Sequence, residues 1–301
     1  MQKGFSNEYK SIIKSTAPAP FHGEENGYLF CGDSLEILKK IKDSSVDLIF
    51  ADPPYSIKKA DWDTFENHDE YIKFSSKWIK EASRILKDTG TLYVCGFSEI
   101  LADIQRPAMK HFHSCRWLIW YYKNKANLGN DWGRSHESIL CLRKSKRHIM
   151  NVDSVRIPYN AHTLKYPERT QAESSQYGNG VREAVWRPNP LGAKPKDVIE
   201  IPTTCNGMGE KTPHPTQKPE ELLRKIILAS SNEGDVVLDP FVGSGTTAVC
   251  AKQLKRKWIG VDKNEEYLSW AVDRLVNVQI RTTEEWIQYD KATVARRETI
   301  R

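Results

Sequence analysis

The segment Asp52-Pro53-Pro54-Tyr55 follows the apolar run Val46–Ala51 and combines a carboxylate, two residues without a backbone N–H, and an aromatic ring. A β-rich run broken by two prolines places these groups in a loop at a strand's C-terminal end. The prolines remove amide donors but keep carbonyl acceptors, and an ionised Asp52 only accepts. Such acceptors suit an exocyclic NH2, which has two hydrogens to donate. Tyr55 adds a π-face, and stacking a base is worth roughly 1–3 kcal/mol in single-strand binders. The same four residues also fit a plain strand-ending turn with a half-buried tyrosine.

A second pattern lies far downstream. A buried-strand run ending at Asp239 continues through Pro240, Phe241 and Val242 into Gly243-Ser244-Gly245, after which residues 246–254 read as a helix. A glycine turn feeding a helix N-terminus opens a backbone-lined crevice that favours anionic groups. The next strand, Lys257–Asp262, ends in an acid placed as ribose-binding acids are in nucleotide folds. Gly243, Gly245 and Ala248 also satisfy the dinucleotide pattern, with Asp262 about 20 residues further on. Glycine spacing therefore does not separate a nicotinamide cofactor from S-adenosylmethionine.

Together the two patterns resemble the DNA methyltransferases that make N6-methyladenine or N4-methylcytosine. That family carries a (D/N/S)PP(Y/F/W) catalytic loop and an FxGxG cofactor loop, matched by Asp52-Pro53-Pro54-Tyr55 and Phe241-Val242-Gly243-Ser244-Gly245. The catalytic loop comes first, which is similar to the family's β group, a circular permutation of the usual methyltransferase order. His214-Pro215-Thr216-Gln217-Lys218-Pro219 is similar to the element that precedes the cofactor loop in this group, and Gly32-Asp33 to the strand end near the cofactor's adenine. Trp120 through Lys123-Asn124, then Arg134-Ser135-His136-Glu137-Ser138-Ile139-Leu140, resembles the lining of the target-base pocket. One departure is Ser56, where many relatives have asparagine.

The resemblance implies an α/β, Rossmann-like methyltransferase fold with a mostly parallel, permuted sheet and an inserted target-recognition region. The expected divisions are 28–143 (catalytic half), 144–201 (insertion), 202–280 (cofactor half) and 281–301 (tail). It implies methyl transfer from S-adenosylmethionine to the amino group of a flipped base in double-stranded DNA. Asp52 and the Pro53 carbonyl would grip the NH2, with Pro54 and Tyr55 completing the loop. Asp239, Pro240, Phe241, Gly243, Ser244 and Gly245 would surround the methionine portion, and Thr246 and Thr247 would add hydroxyls. Lys218 would balance the methionine carboxylate, Asp33 would meet the adenine, and Asp262 the ribose hydroxyls, with His214 and Thr216 alongside. In this family aspartate in the loop often marks adenine and serine cytosine, so adenine N6 is expected and cytosine N4 is the alternative. The stretch from Asp52 to Phe65, with Cys95 to Glu99, looks closest to adenine enzymes that accompany restriction endonucleases. An endonuclease partner and a homodimer stay open, as do a nicotinamide-dependent oxidoreductase and a non-catalytic DNA-binding protein.

The charge distribution agrees with a nucleic-acid partner. Residues 116–150 hold eight Lys/Arg against two acids, an excess that equals the formal +6 of all 301 residues. Trp117, Trp120, Tyr121, Tyr122 and Trp132 interleave with these cations, as expected where a phosphate backbone is tracked beside an unstacked base. Lys123, Asn124, Arg134, Ser135, His136, Arg143, Lys144, Lys146 and Arg147 are the candidate DNA contacts. A solvated basic strand and loop is the plainer reading.

These groups need a scaffold, and alternating strand and helix patterns supply one. Strands are expected at 28–31, 46–51, 91–95, 116–122 and 138–142, and helices at 34–41, 71–86, 98–109, 219–231 and 265–278. Ser34 is the expected N-cap of the first helix and Gly90 the stop of the second. Periodicity fades from 151 to 204, and the tail from Arg281 reads as an exposed, functionally silent helix. The six cysteines form no C-x-x-C pair, so reduced thiols are expected. His111, His113 and Cys115 alternate as along one strand face but lack a second cluster, and no metal is expected. Residues 1–14 are polar, and no apolar run of about 18 residues occurs, so the expected setting is a prokaryotic cytoplasm without membrane contact.

Overall fold

The computed structural model describes residues 6, 9–56, 63–123, 130, 132–170, 185–205 and 208–299. Along the chain lie β1 (His22–Glu24), β2 (Gly27–Cys31), α1 (Ser34–Leu38), β3 (Val46–Ala51), α2 (His68–Ile85), β4 (Leu86–Gly96), α3 (Ser98–Ala108), β5 (Ser114–Tyr121) and β6 (His136–Arg143). Then come α4 (Ala161–Lys165), β7 (Arg169–Thr170), β8 (Val185–Trp186), β9 (Val198–Glu200), α5 (Glu220–Ser230), β10 (Val236–Asp239), α6 (Thr246–Gln253), β11 (Lys257–Asp262), α7 (Glu265–Val276) and α8 (Thr283–Thr299). Asn151–Lys196 forms one compact unit, containing α4 and the β7-β8 pair, and the remainder forms another. Residues 144–150 and 197–201, read from sequence as part of the insertion, pack in the larger unit.

Nine strands of the larger unit make one sheet, ordered β1-β2-β11-β10-β3-β4-β6-β5-β9. Five consecutive strands, β2, β11, β10, β3 and β4, are parallel, whereas β6 runs antiparallel to β4 and β5 antiparallel to β6. Every residue of β3 and β10 is buried, the pattern of strands covered on both faces. Ile49, Ala51, Leu92 and Leu238 share a core with Trp78, Ile79 and Leu101 of α2 and α3. Tyr93, on the other face of β4, reaches Ser230 of α5 at 2.7 Å. Asp47 accepts from Val236 N at 2.9 Å and pairs with Lys87 at 2.8 Å, tying the starts of β3 and β10 together.

Several local expectations change. Asp33, rather than Ser34, caps α1, accepting from Leu35 N and Glu36 N. Gly90 does not end α2, which stops at Ile85; it lies inside β4, where an added Cβ would stand 2.9 Å from Asp47 O. β5 begins at Ser114, so His111 and His113 precede the strand they were assigned to. The tail is helical but docked: Trp286 is 4% exposed and donates to Gln253 O at 3.1 Å, and Asp290 pairs with Arg224 at 2.8 Å. Trp286→Ala is therefore expected to lower stability by about 3 kcal/mol, read as a lower thermal midpoint, because it empties a buried aromatic site. Among the described residues no helix is long and apolar enough to cross a membrane.

Candidate active site

Parallel strands bring their C-terminal ends to one edge, here at Cys31, Asp262, Asp239, Ala51 and Gly96. From β3 the chain proceeds to β4 on one side, and from β10 to β11 on the other. A crevice opens where such connections diverge. Asp52 and Asp239 end the two strands at that point, and both line a solvent-open cleft of about 310 Å³ with His214, Lys218, Phe241 and Gly243.

On the β3 side, Asp52 is held by two donors. Tyr55 OH lies 2.6 Å from Asp52 Oδ1, and Lys218 Nζ lies 2.7 Å from Asp52 Oδ2. Glu137 enters from the second residue of the antiparallel strand β6, with its Oε2 3.0 Å from the Tyr55 hydroxyl, 3.3 Å from Lys218 Nζ and 3.5 Å from the Cys95 thiol. Phe97 packs edge-on to the Tyr55 ring at 5.0 Å. Burial pushes the Asp52 carboxyl up, with Lys218 opposing and Glu137 reinforcing the shift. Burial also works against the charges of Glu137 and Lys218, but Lys218 and the donors around Glu137 leave it below the ordinary glutamate range, and Asp52 with Glu137 holds the ammonium above its own. The Cys95 thiol is raised by burial and stays protonated. Ser56 closes the loop at φ 59°, and its N–H donates to buried Asp63 at 2.6 Å. Serine enters that left-handed region less readily than asparagine or glycine.

On the β10 side, Asp239 accepts from Phe241 N at 2.9 Å and from Thr247 Oγ1 at 2.5 Å. Burial pushes its carboxyl up to about 7, and Asp52 and Asp262 add to the shift. Asp262 reaches the same turn by accepting from Gly243 N at 2.9 Å, and its other oxygen accepts from Asn264 N. Gly243 and Gly245 have φ of +50° and +85°, and α6 starts directly after them. His214 packs on Tyr267 and accepts from Thr216 N through Nδ1 at 3.3 Å. From behind, Arg274 donates to Ser244 O and Thr246 Oγ1.

The family model for DNA methylases matches residues 46–273, from the start of β3 into α7. The chain belongs to the N6/N4 DNA methylase family. It is 36% identical over 255 residues to the Type II methyltransferase M.HpaI of Haemophilus parainfluenzae, covering 82% of this chain and 73% of that one. It is 35% identical over 257 residues to the DNA adenine methyltransferase YhdJ of Escherichia coli K12, covering 84% of each. Among solved structures, a PvuII DNA methyltransferase described as cytosine-N4-specific superposes with a TM-score of 0.65 at 18% identity, covering 91% and 94% of the two chains. The M1.HpyAVI–SAM complex superposes at 0.56 and 24% identity, covering 83% and 98%. At such identities these structures speak to fold, and it is the Rossmann-like methyltransferase fold expected from the sequence. The cofactor of this DNA methyltransferase is S-adenosylmethionine, and the oxidoreductase reading is set aside.

The cleft fits that cofactor. Asp52 and the buried Asp239 line it, and their acidic side chains favour a ligand bearing sulfonium and ammonium charges. An added Cβ at Gly243 would stand 2.9 Å from His214 Nε2, so the turn keeps open the space a side chain would fill. Gly243→Ala also forces a non-glycine residue into left-handed backbone, at about 1–2 kcal/mol. Its expected result is at least a roughly tenfold loss of S-adenosylhomocysteine affinity by titration calorimetry. Not every expected cofactor residue lines the cleft. Asp33 caps α1 and pairs with Lys263 at 2.8 Å, and Pro240 O accepts from Ser34 Oγ, while Lys218 lines the cleft but is paired with two carboxylates.

The expected DNA contacts split into two groups. Lys123, Arg134, Ser135 and His136 lie at the catalytic edge, since Tyr121 pairs with His136 and Gly96 with Ser138. There Lys123 pairs with Glu200 at 3.1 Å, and Arg134 pairs with Glu99 at 2.8 Å while stacking 3.7 Å over Phe97. Ser135 O accepts from Tyr122 N, and His136 Nε2 is 3.4 Å from Ser98 Oγ. Asn124 lies outside the described residues. Arg143, Lys144, Lys146 and Arg147 lie apart from that group. Because β6 is antiparallel to β4, it carries the chain roughly 20 Å from Glu137 to the opposite edge. Lys144 donates there to Ser83, and Arg147 pairs with Asp88. Sequence reasoning quoted Glu137 but gave it no role. The signal was an acid opening the apolar run Ser138-Ile139-Leu140-Cys141-Leu142.

Proposed function

We propose that this DNA methyltransferase acts on the N6 amino group of adenine in duplex DNA. The observation that carries the reading is a carboxylate, Asp52, at the end of β3 and on the cofactor cleft. Similarity to the E. coli DNA adenine methyltransferase supports adenine, while the cytosine-N4 neighbour bears on fold alone. Extruding the base costs only a few kcal/mol. The amino lone pair is delocalised into the purine and is a poor nucleophile. Acceptors on both N–H bonds, Asp52 and the Pro53 carbonyl, favour a more pyramidal nitrogen whose lone pair is free to attack.

S-adenosylmethionine supplies an electrophilic methyl group, so no covalent enzyme intermediate is needed. His214, Phe241, Gly243 and Thr247 would hold it, and Asp262 would orient the Gly243 turn as well as meet the ribose. Asp52 then removes the proton from the methylated nitrogen. Residues 144–201, including the Asn151–Lys196 unit, are the proposed target-recognition region. Arg134 and the 95% exposed Trp132 precede it as duplex contacts. A cognate restriction endonuclease is the proposed cellular counterpart.

The test is transfer of labelled methyl groups to DNA, followed by nucleoside analysis. Label in N6-methyladenosine supports the reading, and label in N4-methylcytidine assigns the alternative. No transfer to any DNA would leave only a DNA-binding role.

A further inference from the structure

Asp52 must accept from the base, yet both of its oxygens already hold a donor. Tyr55 has one hydroxyl proton and two carboxylates within reach, at 2.6 Å and 3.0 Å. Lys218 is likewise shared, 2.7 Å from Asp52 and 3.3 Å from Glu137. Each donor thus has a second acceptor, and in both cases that acceptor is Glu137 Oε2. We propose that Glu137 is a positioning residue that takes over the Tyr55 hydroxyl and the Lys218 ammonium when the base's amino group arrives, freeing Asp52 to accept from it. This rests on reading Asp52 as the acceptor of the amino group.

The geometry favours such a hand-off. Moving either donor from one carboxylate to the other requires only that a bond already shared be redistributed, and no buried donor is left unpaired. A glutamine at 137 would keep the shape but remove the charge and replace one acceptor oxygen with a donor. Both donors would then settle on Asp52 and compete with the substrate. The groups facing the two carboxylates are Tyr55 on the catalytic loop, Cys95 on β4, Tyr122 after β5, Lys218 before α5 and Asp239 on β10. Removing Glu137's negative charge leaves Lys218 as the dominant neighbour, which eases ionisation of Asp52. The acid limb of the pH profile should therefore move to lower pH although the rate falls.

The experiment is single-turnover methyl transfer by Glu137→Gln, Tyr55→Phe and the double variant across pH, with S-adenosylhomocysteine thermal shifts to establish folding. Glu137→Gln should lose at least roughly tenfold at neutral pH. Tyr55→Phe serves as its own reference: adding Glu137→Gln to it should cost less than Glu137→Gln costs the wild type, because the competing hydroxyl is gone. A Glu137→Gln rate equal to wild type, an unmoved acid limb, or an undiminished cost on the Tyr55→Phe background overturns the hand-off. If Glu137→Gln does not fold, Glu137→Asp decides: it keeps the charge but draws the shared oxygen back by one methylene, so a loss of about tenfold supports the proposal and a wild-type rate overturns it. An Asp52→Asn variant as active as wild type would instead remove the parent reading, independently of these outcomes.

Discussion

Asp52→Asn is expected to reduce single-turnover methyl transfer by roughly a thousandfold while leaving S-adenosylhomocysteine affinity nearly unchanged. Asparagine matches the side chain in size, so the loop, whose outer end is fixed by Ser56 and Asp63, keeps its shape. What disappears is an anionic acceptor for one amino hydrogen and the base that later takes a proton. Asparagine retains one carbonyl oxygen, but its NH2 opposes Lys218, which lies 2.7 Å from Oδ2 in the native protein. The cofactor turn has its own anchors in Asp239, Asp262 and Arg274, so binding should survive. Comparable loss of affinity and rate would mean that Asp52 serves the cofactor more than the base.

Lys218→Met is expected to destabilise the protein by about 3–5 kcal/mol, because it removes the cation from a buried pair of carboxylates. The side chain is 7% exposed, and the flanking Asp52 and Glu137 side chains are 16% and 11% exposed. Without the ammonium both carboxyl groups move up in pKa. Their ionisation then costs folding energy at any pH above their unfolded values, and the penalty fades as pH falls and they protonate in the folded state. The deficit in the thermal midpoint should thus be largest near neutrality and shrink towards acid. Activity, which needs ionised Asp52, should show its acid limb displaced upward, opposite to the shift expected for Glu137→Gln. A deficit independent of pH would assign Lys218 a packing role.

The sheet and most helices were legible because buried strands and amphipathic helices repeat on known periods. Helix ends were not, since Gly90 reads as a breaker until its close approach to Asp47 O is visible. The glycine turn and catalytic loop were legible as motifs whose residue types dictate their use. Charge was less legible. A run of cations in one stretch of sequence suggested one surface, but β6 sets Arg134, just before its start, apart from Arg143 at its far end. Glu137 was hidden for the complementary reason, because its neighbours Tyr55 and Lys218 lie 82 and 81 positions away. The docked Trp286 was missed because one aromatic in a polar helix carries little periodic signal.

The central pair β3 and β10 joins segments 189 positions apart at Asp47 and Val236. Synthesis therefore delivers the amino-terminal strands long before the partner that flanks them. One margin of β3 must wait unpaired while most of the polypeptide is made, and a bare apolar strand margin is prone to self-association. Fragments ending before β10 should depend on chaperones to remain dispersed, and gain that independence only once the late strand is translated.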